Sequence, residues 1–525
     1  MTRPLCPRLL LLAAACWACG QASLQQAPAA EANAAFQAAL ESIRDDQVEG
    51  YVTHLADGKF EGREAGTPGG HSAAGYLVEQ LRKLQLEAGG EDGGFLQPFA
   101  DGYRNVIARL SGHDTGPEHQ TLIVCAHYDH IGRGSPKTSL GKVGEIHNGA
   151  DDNASGVAAV LEIAEAFSQL PTPPRRNILF AFWDAEEKGL LGSKHWLANP
   201  TVPLQSVVGV INLDMVGRLR DDRLVLFGSR TAAGYRRMAA MNNRQADLRI
   251  DFSRSLVGNG DHFPFVGRQI PVLFAHTGVH GQYHRETDDA DLVKVEGISR
   301  IARLLFGIAF ELAETAESPT FRTECLAESA SSVAKSDRGV GAVPLRLGAA
   351  WRAGGAEGPG VAIATVVPGS AADKAGIRPG DRLIEVAGHA IRSGEDLSGA
   401  VISAANPVEV VVQPPESKNV RALVVELAGK PLRLGITWRT DEAEPRTIII
   451  NSVVDGSAAA KAGLQPDDRV YEVAGRKPAD DGQFSEWIAT LPGPLELLIE
   501  REGRLMVVVV HFSDDAALGE SDARR

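Results

Sequence analysis

Apolar positions along this chain are grouped in two ways, and the grouping changes about two-thirds of the way along. From about Asp45 to Glu317, short and nearly continuous apolar runs alternate with stretches of helical period. The runs Asn105–Leu110, Thr121–Ala126, Asn177–Trp183, Ser206–Leu213, Arg223–Phe227 and Ile270–Phe274 predict strands, several of them buried on both faces. Between two of them Val157, Val160, Leu161, Ala164 and Phe167 recur at the i, i+3, i+4, i+7 spacing of a helix with one core-facing stripe. Such alternation predicts an α/β fold, a mixed and mainly parallel sheet flanked by helices. In sheets of this kind reactive groups gather at the carboxyl ends of the strands.

A Ser/Glu/Ala-rich stretch near Glu314–Gly341 reads as a linker, and beyond it the pattern repeats itself. Pro344-Leu345-Arg346-Leu347-Gly348 returns as Pro431-Leu432-Arg433-Leu434-Gly435, and Pro368-Gly369-Ser370-Ala371-Ala372 is echoed by Asp455-Gly456-Ser457-Ala458-Ala459. Both pairs are offset by 87 positions, so two copies of one small β-rich domain are expected. The expected organisation is a leader over 1–22, a spacer over 23–44, a large domain over 45–316 and a linker over 317–340. The repeats then occupy 341–428 and 429–513, with a polar tail over 514–525.

Composition narrows the classes. With 525 residues the chain exceeds what one core usually serves. Its formal net charge of −14 argues against a nucleic-acid partner, which needs a concentrated basic surface. Arg3 and Arg8, an apolar run from Leu9 to Trp17 and small residues around Ala18–Gly20 form the order of an export signal. That run is shorter than the ~20 apolar residues of a membrane span, so an exported protein without a transmembrane span is expected. Lipid anchoring through Cys16 or Cys19 stays open. Outside the leader only Cys125 and Cys325 remain, too few for a disulfide-built fold, and whether they pair is also open.

Five segments of the large domain end in residues that bind hard or borderline metals: His127-Tyr128-Asp129, Asp151-Asp152-Asn153, Glu186-Glu187, Asp214 and Tyr283-His284. Singly, each has a bland reading, such as a helix cap at Asp152-Asn153 or a solvated Glu pair. Together they supply the nitrogen and oxygen ligands that zinc accepts. Acidic residues that end apolar strands are costly unless paired or bound to metal.

These motifs, in this order, resemble the co-catalytic di-zinc exopeptidase family of bacterial secreted leucyl aminopeptidases, glutamate carboxypeptidases and glutaminyl cyclases. The resemblance runs from about Phe60 to Ala313 and includes Glu61-Gly62-Arg63-Glu64 and Gly260-Asp261-His262-Phe263-Pro264-Phe265. It implies that Asp152 bridges two zinc ions, with His127 and Asp214 completing one site and Glu187 and His284 the other. It implies a cis peptide after Asp152. Glu186 is assigned the general base, and Asp129 the acceptor for the second imidazole N–H of His127. Tyr283 is equally a donor to the developing oxyanion and a packing aromatic. His130, His147 and His262 are assigned to the loops around the site.

In the repeats, Leu347-Gly348-Ala349 and Leu434-Gly435-Ile436 resemble the carboxylate-binding loop of PDZ domains, which implies capture of peptide C-termini. The second copy departs at Asp467, where the first has Gly380, so a different turn is expected there. The combined expectation is an exported zinc exopeptidase acting on peptides or proteins, with an aminopeptidase the leading reading. A carboxypeptidase, a glutaminyl cyclase and a catalytically inert PDZ scaffold are the competing ones.

Overall fold

A computed structural model describes residues 33–114, 120–328, 346–351 and 359–512. The leader, Cys16, Cys19, the centre of the expected linker and the polar tail lie outside the described residues. Nine strands form the large sheet: β1 Glu87–Ala88, β2 Leu96–Pro98, β3 Arg104–Leu110, β4 Thr121–His127, β5 Asn177–Trp183, β6 Val207–Leu213, β7 Arg223–Phe227, β8 Arg249–Phe252 and β9 Val272–His276. Their order is β1-β3-β5-β4-β6-β9-β7-β8, with β2 paired to β3. The central strands β5, β4, β6 and β9 run parallel, and antiparallel strands flank them on both sides.

Burial explains the choice of strands. Every residue of β4 and β6 is buried, as a parallel strand covered on both faces must be. The helices α1 Asp45–Leu55, α2 Gly156–Ser168 and α3 Val295–Glu314 supply cover. The rings of Phe167 and Phe306 meet edge-on at 4.8 Å where α2 crosses α3. Truncating such a buried ring to Ala costs about 3–5 kcal/mol. Cys125 and Cys325 are both buried and are not joined to each other.

The chain divides into two compact units, Met1–Ala232 with Asn242–Thr323, and Ala233–Met241 with Glu324–Arg525. The span expected for the large domain is therefore interrupted by a short segment that groups with the repeats. Inside the second unit Arg236 pairs with the buried Glu500 through two hydrogen bonds of 2.8 and 3.0 Å.

Each repeat has its own core and sheet. The first runs β10 Ala349–Trp351, β11 Val361–Val366, β12 Arg382–Val386, β13 His389–Ala390, β14 Val408–Gln413 and β15 Arg421–Val425. The second runs β16 Ile436–Asp441, β17 Glu444–Val453, β18 Arg469–Val473, β19 Leu495–Arg501 and β20 Arg504–Val510. The expected difference at Asp467 does not materialise. Asp467 adopts φ 68° and Gly380 φ 95°, the same left-handed turn, which Asp tolerates better than most side chains.

Candidate active site

Parallel neighbours in a sheet end on the same edge, so the residues that follow β5, β4, β6 and β9 converge. His127 closes β4 and Asp214 follows β6; Glu186 and Glu187 follow β5, and His284 lies in the loop after β9. Asp152 joins them from the irregular turn Ala150–Ser155 that leads into α2. The Asp152–Asn153 peptide is cis. Ala185, Met215 and His284 all hold positive φ, at 56°, 51° and 51°. Side chains other than Gly rarely adopt that region, and such residues cluster at functional sites.

The carboxylate of Asp152 divides between two groups. Its Oδ1 lies 3.4 Å from His127 Nε2, which also lies 3.3 Å from Asp214 Oδ1. Its Oδ2 lies 3.2 Å from His284 Nε2, which also lies 3.1 Å from Glu187 Oε2. Two ligands bound at ~2.0–2.1 Å to one tetrahedral zinc stand about 3.3 Å apart, so these separations fit a shared cation in each group. The buried Nε2 of His284 has no hydrogen-bond partner among the described residues, although it faces two carboxylate oxygens. A cation between them would satisfy it. Burial alone would raise the Asp152 carboxyl; the adjacent His127 and His284 rings overturn that and hold it well below the usual range.

His130 enters the cleft although its sequence context assigned it to the loops. Its Nδ1 lies 2.9 Å from Glu187 Oε1 and 3.8 Å from Asp152 Oδ2. His130, Asp152 and Glu187 form one set able to hold a metal, and His127, Asp152 and Asp214 form the other. His147 behaves as the loop residue it was taken for, with its ring nitrogens 2.8 Å from Ser139 Oγ and 2.9 Å from the Glu145 carbonyl. His262 stacks on Phe274 with centroids 4.3 Å apart.

Asp129 stands beside the second imidazole nitrogen of His127, and its carboxylate has further partners. His127 Nδ1 lies 3.2 Å from the Asp129 carbonyl, while the Asp129 carboxylate is 3.7 Å away. That carboxylate also accepts the backbone N–H groups of Glu186 and Glu187, at 3.0 and 3.3 Å. The loop after β5 turns back over Asp129 and so brings these two amides within its reach. Glu186 sits in this clamped loop. Burial, reinforced by the Asp261, Glu187 and Asp214 carboxylates and opposed by His127, pushes its carboxyl well above the usual range. Tyr283 stacks on His284 with centroids 3.9 Å apart. Burial and the cleft carboxylates push its phenol up, so it stays protonated and able to donate.

A mainly parallel sheet with imidazoles and carboxylates gathered at its strand ends defines an α/β protein with a metal-competent cleft. Residues 105–309 match peptidase family M28, and residues 363–414 and 449–501 match the PDZ domain. The chain therefore carries a peptidase family M28 domain followed by two PDZ domains. Leupeptin-inactivating enzyme 1 of Streptomyces exfoliatus is 31% identical over 253 residues, 47% of this chain and 52% of that protein. Aminopeptidase YwaD of Bacillus subtilis (strain 168) is 28% identical over 208 residues, 38% of this chain and 42% of that protein. The chain thus spans about half the length, or less, of these curated relatives. Among solved structures, the Legionella pneumophila LapA aminopeptidase is 23% identical over 54% of this chain and 74% of its own, with a TM-score of 0.45.

In the PDZ modules the loop residues occupy equivalent places. The Leu347 and Gly348 carbonyls accept from Ala372 and Val367, as those of Leu434 and Gly435 accept from Ala459 and Val454. Ala349 opens β10 and Ile436 opens β16, each at an edge of its sheet. Leu434, Gly435 and Ile436 border a cavity of about 540 Å³ that continues past Trp438 to Ser485 and Ile488. Among the described residues no helix is long and apolar enough to cross a membrane.

Proposed function

We propose that this protein is a zinc-dependent aminopeptidase with two metal ions in its cleft. The supporting observation is the division of Asp152 between two ligand groups, with Glu186 adjacent in the chain to Glu187 of one of them. In this reading His127, Asp152 and Asp214 hold one ion, and Asp152, Glu187 and His284 the other. When bound, two zinc ions lower the pKa of water toward ~7 and polarise a carbonyl. Glu186 takes the proton of the attacking water and returns it to the leaving amine. Tyr283 donates toward the carbonyl oxygen as negative charge develops there. Asp129 acts on Glu186 and Glu187 through their amides, fixing the base and the ligand side by side. The preference for amino termini is supported by the names of the relatives, leucine aminopeptidases among them.

The PDZ modules serve substrate access in this proposal. The cavity beside Leu434–Ile436 suits an apolar C-terminal residue, and the free edge of β16 suits an added strand. The leader supports export, and mass spectrometry of the mature amino terminus checks its removal. One assay tests the rest: purified full-length protein against aminoacyl reporters, carboxyl-terminal reporters and longer peptides with free or amidated carboxyl ends, with and without a chelator. Chelator-sensitive release from aminoacyl reporters is expected, with a higher KM for amidated long peptides. Release only from the carboxyl end, or cyclisation of amino-terminal Gln, would transfer the protein to a sister activity. No turnover with zinc bound would leave an inert scaffold.

A further inference from the structure

The turn that carries Asp152 is gripped from two directions. On one side the buried guanidinium of Arg63 donates to the carbonyls of Tyr128, Asn148 and Gly149, at 2.9, 2.6 and 2.9 Å. On the other stands Asp288, which is fully buried. Its backbone carbonyl accepts from Ala150 N–H at 3.0 Å. Its Oδ2 accepts from the N–H groups of Asp151 and Asp152, at 2.9 and 3.1 Å. Its Oδ1 accepts from Arg218 at 2.8 Å, and Arg218 also donates to the Leu292 carbonyl at 2.9 Å. One residue thus binds three successive amides of the turn. It also follows His284 by four positions, in the same loop.

We propose that Asp288 is a positioning residue that couples the two metal groups, setting the stance of Asp152 and the loop of His284 together without ligating a metal. The proposal rests on the metallopeptidase reading above. Its physical basis is that the two oxygens of Asp152 must face different imidazoles, so a small rotation of the turn disturbs both groups at once. Hydrogen bonds to an ionised acceptor are short and strong, and losing them leaves buried donors unpaired. Outer partners of metal ligands are typically worth about 10–100-fold in metal affinity.

The test is Asp288→Asn in the full-length protein, read by zinc titration against a chromophoric chelator. The amide side chain still offers an oxygen to Asp151 and Asp152 but presents N–H groups to Arg218. Zinc dissociation constants about 10–100-fold higher than wild type are expected, for both ions. Loss of the buried Arg218 pair should lower the melting temperature of the metal-free protein, but zinc affinity should fall as well, and excess zinc should restore much of kcat. A purely structural role would lower the metal-free melting temperature and leave zinc affinity unchanged. That outcome overturns the proposal. Should Asp288→Asn fail to fold, Arg218→Gln removes the pairing cation and gives the same readout: weaker zinc supports coupling, and unchanged affinity refutes it. If wild type itself binds fewer than two ions, the metallopeptidase reading fails, whatever the variant does.

Discussion

His127 and Asp214 stand at the ends of adjacent parallel strands, whereas Glu187, His130 and His284 stand on loops, and the two halves of the cleft owe their order to different forces. In the strand half, Cys125 pairs in register with Asn212, two residues before His127 and Asp214 respectively. The sheet ladder therefore brings His127 and Asp214 together by itself, 3.3 Å apart at Nε2 and Oδ1. In the loop half, Glu187 is held through its amide by Asp129, and His284 by a 3.0 Å contact between its Nδ1 and the Thr138 carbonyl. Leu140 N–H donates back to the His284 carbonyl at 2.9 Å. Side chains and loop carbonyls do there what the ladder does in the other half. A ladder positions its residues through many cooperative backbone bonds, while each residue of the loop half is positioned by one or two individual contacts. The loop half is therefore where metal affinity should be most easily tuned.

The largest expected effect leaves the contrast intact. Glu186→Gln should lower kcat roughly 10²–10⁴-fold, the usual worth of general acid–base catalysis, with zinc in both halves unchanged. Normal turnover in this variant would remove Glu186 from the base role, and loss of zinc would make it a ligand.

A more direct comparison uses single ligand deletions and elemental analysis of the purified protein. His127→Ala should empty the strand half, because His127 is the one imidazole in the set of His127, Asp152 and Asp214 among the described residues. His284→Ala should keep a weakened second ion, since His130 Nδ1 lies 2.9 Å from Glu187. Only the double change His130→Ala and His284→Ala should empty the loop half. Equal and complete loss from the two single variants would erase the distinction between the halves.

The smallest effect concerns the helix into which the Asp152 turn runs. Glu162 on α2 is buried, accepts the Arg44 N–H at 2.8 Å through Oε2, and has no partner for Oε1 among the described residues. Burial pushes its carboxyl from 4.5 up to about 8. The folded protein then holds this proton where the unfolded chain has lost it, so stability falls as pH rises from 4.5 to about 8. Glu162→Gln should flatten that slope and melt higher than wild type at pH 8. The shift should be a few degrees, at ~2–4 °C per kcal/mol for a domain of this size. An unchanged slope in thermal melts would place the titration elsewhere.

Much of this architecture was legible in the chain. All six expected strands exist, with ends shifted by at most a few residues, because a run buried on both faces advertises itself by continuous apolarity. The edge strands β1, β2 and β8 were not anticipated: they are short, and Arg249–Phe252 exposes alternate residues. The site was legible as a set of residue types but not as a set of partners. Counting ligands filled both metals without His130, and only the fold shows that His130 faces Glu187. The periodic signals also missed that Ala233–Met241 groups with the repeats.

The sequence by itself determined the alternation of strands and helices, the duplication of the C-terminal module and the kinds of side chain at the strand ends. Each of these is written in local period, in repetition or in residue chemistry. Only the tertiary structure decided which oxygen of Asp152 faces which imidazole, that Asp129 serves two amides, and that Asp467 keeps the turn of Gly380. It also decided that Asp288 reaches Asp151 across 137 positions of chain. Such partnerships depend on where loops meet in space, and a hydrogen bond goes to whichever buried donor the packing leaves in front of it.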